Sequence, residues 1–299
     1  MNRIGVDIGG TKIAAGVFDD SGALIERFRR DTPRTGSGAD VMTAVVELLG
    51  QVRQKYPFAA VGLGAKGAIS DDGVVLHDGD TLPGWSGTDV AGPIRAAFDV
   101  SVAVQNDVRV TTLAEARRGA GRGYPRMLLA ALGTGVGGGL IIDERLLLGR
   151  HGTAGEIAHL LVNTRGAIPC GCGRFDHLEA VCAGPAIEAE YVRRSGADPD
   201  IELPEIAERM RAGDEIARAT ITDAARVLGA ALAGLATAVD VDVLVIGGGV
   251  AQIGADFLDP AIAEFRAAAL QPIKQIPVLP AALGTDAPLV GAAELVTEV

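Results

Sequence analysis

Ile4-Gly5-Val6-Asp7-Ile8-Gly9-Gly10-Thr11-Lys12-Ile13-Ala14-Ala15-Gly16-Val17-Phe18 sets two short apolar runs around a glycine pair. The runs at 4–7 and 13–18 read as strands, and Gly9-Gly10 lets the backbone reverse between them. A third strand is expected at 23–30, after a tight turn over 19–22. The period then changes: Val41, Ala44, Val45, Leu48, Leu49 and Val52 recur at helical spacing within 39–55. Beyond that, 59–63 reads as a buried strand, 89–98 as a helix, 100–104 as a strand and 108–118 as a helix. Strands alternating with helices imply a sheet covered by helices, an α/β fold.

The opening pattern returns near the middle of the chain. Met127-Leu128-Leu129-Ala130-Ala131-Leu132 leads into Gly133-Thr134-Gly135-Val136-Gly137, and apolar segments follow at 139–143 and 146–148. Strand, glycine turn, strand, Asp-containing turn and strand occur in that order both times, a weak internal duplication. An alanine-rich helical pattern over 214–239 feeds a strand at 243–246, then Gly247-Gly248-Gly249, a helix at 260–270 and a last helix from 287. Two domains around a central cleft are expected. The smaller spans 1–106 and is rejoined by helix 287–299; the larger spans 107–286.

The 299 residues are 48% hydrophobic, with 41 glycines and only 4% aromatics, so the cores would be built from Ala, Val, Leu and Ile. Net charge is −11 and no Lys/Arg block exists to neutralise phosphates, which argues against nucleic-acid partners. A phosphorylated small ligand remains compatible, because a nest of backbone N–H groups holds one without net positive charge. No basic stretch followed by an apolar one marks a secretory leader, and Gly and Asp interrupt the apolar runs; neither export nor a membrane span is expected. Three cysteines do not make a disulfide framework, and a reduced, cytoplasmic setting is expected.

Several stretches carry chemistry. Gly9 and Gly10 would bring N–H groups close to phosphate oxygens, with Thr11 adding a hydroxyl, Lys12 closing the turn and Asp7 placed to hold the water shell of Mg²⁺. A hairpin whose glycines serve geometry alone fits the same residues. Gly133, Thr134, Gly135 and Gly137 present the motif again; since a strand follows, this is neither a dinucleotide fingerprint nor a Walker loop. Gly248 and Gly249 offer flat backbone to a nucleoside, or merely end a strand. Asn106-Asp107 lies between a strand and a helix. It is either a helix cap, or Asp107 is a general base that takes a hydroxyl proton during attack on a phosphoryl group. Glu156 and His159 would share a helical face and, with Glu179, suit sugar hydroxyls. Cys170, Cys172 and His177 raise the question of a metal.

Taken together, Asp7–Lys12, Asn106-Asp107, Leu132–Gly139, Gly155-Glu156-Ile157-Ala158-His159 and Cys170-Gly171-Cys172-Gly173 resemble the ROK family of bacterial sugar kinases, repressors and open reading frames, over essentially the whole chain. The resemblance implies two actin-like (ribonuclease H-like) α/β domains. It also implies transfer of the ATP γ-phosphate to a hexose, usually at the 6-hydroxyl, as in a glucokinase, and a homodimer. By position, Asp107 would be the base, with Asn106, Glu156, His159 and Glu179 on sugar hydroxyls. Repressor members carry an N-terminal DNA-binding domain, whereas here the first kinase strand begins at residue 4, so an enzyme is expected. A non-catalytic sugar sensor would have no need of Asp107 and both phosphate turns. The family's zinc loop reads Cys-x-Cys-Gly-x-x-Gly-Cys-x-Glu with an upstream histidine; here Asp176-His177 replaces Gly-Cys. His159, Cys170, Cys172 and His177 would still give a closed structural Zn²⁺ set, the alternative being a lost metal with His177 in solvent.

Two further departures touch the expected sugar pocket. Lys66, before Gly67, stands where many relatives have proline, and Asp80-Thr81-Leu82-Pro83-Gly84-Trp85 replaces the relatives' Asn-Leu-Pro-Gly-Trp. A carboxylate accepts but cannot donate. Glucose is the first expectation, with another neutral hexose or an N-acetylated sugar such as N-acetylmannosamine after it; glucosamine, 3-amino-3-deoxyglucose and a C7-cyclitol gain rank if Asp80 reads the acceptor.

Overall fold

The computed structural model describes residues 2–34, 36–77, 84–164 and 166–297, and the chain divides into two compact units. The first takes the residues up to Gly119, the segment Leu148–Thr153 and the chain from Leu283 on; the second takes Ala120–Leu147 and Ala154–Ala282.

The first unit begins with β1 (Asn2–Ile8), β2 (Lys12–Phe18), β3 (Leu24–Asp31), α1 (Gly38–Lys55) and β4 (Phe58–Ala65). A small ribbon of β5 (Ala68–Ile69) and β6 (Val75–His77) follows, then α2 (Gly92–Phe98), β7 (Ser101–Asn106) and α3 (Asp107–Arg118). The second unit holds β8 (Met127–Leu132), β9 (Val136–Ile142), β10 (Arg145–Leu146), the short α4 (Glu179–Cys182), α5 (Gly184–Ser195), α6 (Leu203–Arg211) and α7 (Glu215–Val239). It closes with β11 (Val243–Gly247), α8 (Ala255–Ala268) and β12 (Val278–Pro280), after which α9 (Ala287–Leu295) returns to the first unit.

Each unit is organised on one five-stranded sheet, and the two sheets share a plan. Their strand orders are β3-β2-β1-β4-β7 and β10-β9-β8-β11-β12. In each, an antiparallel hairpin continues into two parallel strands. The duplication expected from the glycine turns is therefore a repeat of the whole sheet. β3 alternates half-buried and exposed positions, as an edge strand with one solvated face does, whereas β1 and β4 are buried over most of their length, with Asn2, Arg3 and Asp7 of β1 half-buried.

In the first unit α1 packs on β2 and β3 through its apolar face, and α9 lies on β1, β2, β4 and α3. The α9 contact is backbone to backbone. A Cβ on Gly5 would stand 2.1 Å from the Leu289 carbonyl oxygen, one on Gly62 1.7 Å from that of Ala292, and one on Gly291 1.7 Å from that of Val110. Glycine is thus required at each of these positions by close approach. Arg3, Arg117 and Arg118 converge on the buried carboxylate of Glu294 at 3.3, 3.4 and 2.9 Å, tying β1 and α3 to α9.

In the second unit α7 is the central helix, capped by Asp214, whose carboxylate accepts from the N–H groups of Ile216 and Ala217 at 2.8 and 3.0 Å. By length and composition alone α7 could cross a membrane. Its apolar face is taken instead by α5, α6 and α8. Two helical expectations need correction. The helix placed at 260–270 begins at Ala255 and contains Pro260, which sits past the first turn and leaves only the Asp256 carbonyl without its usual intrahelical donor. The helix placed at 89–98 begins at Gly92, whose N–H goes to the Asp89 carboxylate at 2.8 Å.

Candidate active site

In the first unit, the chemistry gathers where the parallel strands run out. Asp7 is the penultimate residue of β1, paired with Ala14 across the hairpin and in register with Gly64 of β4. Gly64 has no side chain on the face that meets α3; a Cβ there would lie 2.8 Å from Val110 Cγ2 and 3.7 Å from the Asp107 Cα. The missing side chain lets the start of α3 come up beside Asp7. Asn106 caps α3, its Oδ1 accepting from the N–H groups of Val108 and Arg109 at 2.9 and 3.2 Å while its Nδ2 donates to the Gly67 carbonyl at 3.1 Å. Asp107 follows as the first helical residue, where the helix dipole favours an anion. The Lys66–Gly67 backbone is held from a second side by the Trp85 indole, which donates to the Lys66 carbonyl at 3.0 Å.

Both carboxyls titrate high. Burial, then the charge of Asp107, raises Asp7 to about 6, while Lys12 opposes the shift. Burial also raises Asp107, against the Val108 N–H and the charge of Lys66. Two desolvated carboxyls in electrostatic contact are the arrangement that keeps a proton near neutral pH or recruits a cation. The turn beside them is tied down by Thr32, whose hydroxyl donates to the Gly9 carbonyl at 2.7 Å and whose N–H donates to that of Thr11 at 3.1 Å. Thr11 and Lys12 are exposed.

Three glycines of the expected ligand turns are not needed by the protein's own packing. A Cβ on Gly10, Gly133 or Gly249 meets nothing within 4 Å, and none of the three has positive φ. Gly135 and Gly248 are different. A Cβ on Gly135 would stand 2.7 Å from Glu179 Oε2, and one on Gly248, at φ 90°, would stand 2.1 Å from the Leu132 carbonyl oxygen. Bare backbone at the first three positions is what close approach of a phosphate or a flat ring uses.

In the second unit, Gly133–Gly135 closes the β8–β9 hairpin, with the Gly133 N–H donating to the Gly135 carbonyl at 2.8 Å. The turn is grasped from outside at two points. Glu179 Oε2 accepts from the Val136 N–H at 3.0 Å, and the Gly184 N–H donates to the Gly133 carbonyl at 2.8 Å. Glu156 and His159 bracket a single 3₁₀ turn, Ile157–His159, and both are exposed.

His159, Cys170, Cys172 and His177 converge, with one ligand atom from each lying within 4.8 Å of all the others. The two Nδ1 atoms are 3.3 Å apart, and Cys172 Sγ is 3.2 Å from His177 Nδ1. Two nitrogens each ~2.0–2.1 Å from a tetrahedral Zn²⁺ would be about 3.3 Å apart, so the donor set fits that ion in chemistry and in spacing. His177 is buried among these groups. Asp176, in place of the glycine of the resembled loop, has φ 58° in the left-handed region that Asp tolerates. Its carboxylate accepts from the Ile168 N–H at 2.9 Å and from the Thr164 hydroxyl, so it also ties the loop together.

Asp80 and Thr81 lie outside the described residues. Among those that are described, the fold brings Asp7, Gly67, Asn106 and Asp107 together in one unit, and Gly133–Gly137, Glu179 and the His/Cys cluster in the other. Three contributors were not legible in advance: Gly64, Lys66 as a charge on Asp107, and the Glu179–Val136 bond. Only Lys66 had left a signal, by standing where proline was expected.

Comparison with known proteins agrees over the full length. The ROK family model matches residues 3–299. A ROK hexokinase from Thermus thermophilus is 33% identical with a TM-score of 0.90, all of both chains being covered. A ROK family glucokinase from Streptomyces griseus, solved with glucose and AMPPNP, is also 33% identical over all of both chains, with a TM-score of 0.83. The N-acetylmannosamine kinase of Yersinia pseudotuberculosis is 33% identical over 290 residues, 97% of this chain and 96% of the relative.

Proposed function

The chain belongs to the ROK family, and from that footing we propose that it is an ATP-dependent sugar kinase whose preferred acceptor is the 6-hydroxyl of glucose. The observation that carries this reading is the half-buried Asp7–Asp107 pair, one carboxylate at the end of a strand and the other opening a helix. The similarity to a glucokinase crystallised with glucose and AMPPNP supports ATP and glucose as substrates. Similarity to N-acetylmannosamine kinases at the same identity makes that sugar the second candidate. Amino sugars and a C7-cyclitol stay in the test through Asp80.

Asp107 accepts the proton of the acceptor hydroxyl. The freed oxygen forms a bond to the γ-phosphorus as the bond to ADP breaks, and the proton leaves on the carboxyl. Asn106 holds the start of α3 in place, so the Asp107 carboxylate does not have to be ordered during reaction. Gly9, Gly10, Thr11 and Lys12, and likewise Gly133, Thr134, Gly135 and Gly137, are assigned as donors to phosphate oxygens, and Gly248 and Gly249 to the nucleoside. Asp7 is the carboxylate that would hold the water shell of nucleotide-bound Mg²⁺, an ion that would supply charge neutralisation at the phosphates. Glu156, His159, Glu179 and Gly67 are assigned to the sugar.

The His159, Cys170, Cys172 and His177 set is assigned to structural Zn²⁺. Both histidines turn Nδ1 toward the cluster, so Nε2 of His159 is the nitrogen left for a sugar hydroxyl. ADP release with MgATP across glucose, mannose, glucosamine, N-acetylmannosamine, 3-amino-3-deoxyglucose and a C7-cyclitol tests the reading. Glucose should give the highest kcat/KM. Preference for another acceptor would move the assignment to that sugar, and no turnover on any acceptor would overturn the kinase reading.

A further inference from the structure

Glu179 is assigned above to the sugar, yet its carboxylate is already engaged. Oε2 accepts the Val136 N–H at 3.0 Å, at the end of the Gly133–Gly135 turn, and the space beside Gly135 is filled by the same oxygen at 2.7 Å from where a Cβ would stand. Five residues on, the Gly184 N–H grips the other end of the turn through the Gly133 carbonyl. The segment 179–184 therefore clasps the phosphate turn at both ends. A carboxylate has two oxygens and about four lone-pair directions, so one oxygen on Val136 leaves acceptor capacity for a second partner.

Resting on the kinase reading, we propose that Glu179 is a positioning residue for the nucleotide as well as a ligand of the sugar, so that binding of the two substrates is coupled through one side chain. With the carboxylate in place, the Val136 amide is fixed and the turn keeps the shape that presents its bare backbone to phosphate. A sugar hydroxyl that hydrogen-bonds the same carboxylate restricts its rotation and stiffens the turn. Each substrate then finds a site that the other has partly ordered, and the coupling must be reciprocal.

The test is calorimetric titration of the full-length protein with MgADP and, separately, with the acceptor chosen by the activity panel, each with and without the other. Wild-type protein should bind MgADP more tightly when sugar is present. Glu179→Gln keeps an oxygen for the Val136 N–H but changes what the sugar meets. It should hold MgADP within about threefold of wild type, bind sugar about tenfold more weakly and show no coupling. Glu179→Ala should weaken MgADP about tenfold even without sugar. Unchanged MgADP affinity in Glu179→Ala, with only sugar binding lost, overturns the proposal and leaves Glu179 a sugar ligand alone.

If Glu179→Ala does not fold, Gly135→Ala gives the answer from the other side. Its methyl group displaces the carboxylate, so a substitution on the nucleotide turn should weaken sugar binding; unchanged sugar affinity overturns the proposal. Wild-type protein that binds neither MgADP nor any sugar would instead sink the kinase reading from which this one starts.

Discussion

The two sheets have one strand plan and opposite endowments. β1 and β8 both close a hairpin through a glycine turn, at Ile8–Ile13 and Leu132–Val136, yet one residue before closure stands Asp7 in the first and Ala131 in the second. β7 runs out into Asn106 and Asp107; β12, its counterpart by position, runs out into Ala281 and Ala282. β4 is followed by Lys66 and Gly67, and β11 by Gly248 and Gly249. Every ionisable group at these strand ends lies on the first sheet. The second offers backbone amides and takes its charged groups from an insertion, the loop and helices between β10 and α7. On the proposed kinase reading the first sheet moves a proton and the second holds anions without charge, a division that a duplicated scaffold permits because either copy can lose what the other keeps.

The sharpest way to break this contrast is Asp107→Asn. If the first sheet alone carries the proton chemistry, kcat should fall by ~10²–10⁴ with sugar affinity nearly unchanged, measured by ADP release and by calorimetry. In wild-type protein the acid limb of kcat/KM should lie above the ordinary carboxylate range, because burial raises Asp107 and activity requires its ionised form. Near-normal turnover of Asp107→Asn would place the base elsewhere.

A smaller effect is expected from the way the first unit is held together. Glu294 is a buried carboxylate shared by three arginines, and Glu294→Ala removes their common anion while each keeps a backbone carbonyl as acceptor. A loss of about 2–3 kcal/mol is expected, read as a lower urea midpoint, because the arginines left behind are partly solvated. A loss below about 1 kcal/mol, the value of an exposed pair, would show that the cluster is solvated in solution.

The smallest effect has the opposite sign. A carboxyl raised from 3.8 to about 6 binds its proton more tightly in the folded chain. Asp7 therefore stabilises the fold below the unfolded pKa and gives that contribution up as pH rises through 6. Asp7→Asn removes the penalty, so the variant should be more stable than wild type at pH 8, by on the order of 1–3 kcal/mol, with no gain near pH 4. Thermal melts at the two pH values decide. Equal gain at both would mean that desolvation of the charged form is not what strains Asp7.

What the sequence disclosed followed the range of the interactions involved. The β1–β2 and β8–β9 hairpins, α1 and the core of α7 are local patterns, and the four metal-ligating candidates stood within 19 residues of one another, where spacing carries information. The Asp7–Asp107 pairing joins residues 100 positions apart and depends on Gly64, whose role is to be absent as a side chain. Pro260 misled because proline is commonest at a helix start, whereas five residues before it already follow helical geometry. α6, which the sequence reading passed over, carries Leu203, Ile206, Ala207 and Met210 at i, i+3, i+4 and i+7, a helical period confined to nine residues and so shorter than the window over which periodicity is counted.

The press of α9 against β1 and β4 also sets an order of events during synthesis. The strands of the first sheet leave the ribosome early, but the glycine-lined seat at Gly5 and Gly62 has no occupant until 287–295 has been made. The second unit, apart from the six residues Leu148–Thr153 that belong elsewhere, has all of its chain once Ala282 emerges. The unit that holds Asp7 and Asp107 is thus begun first and completed last. Through most of translation its apolar seat stays open, the interval in which a nascent chain depends most on chaperones.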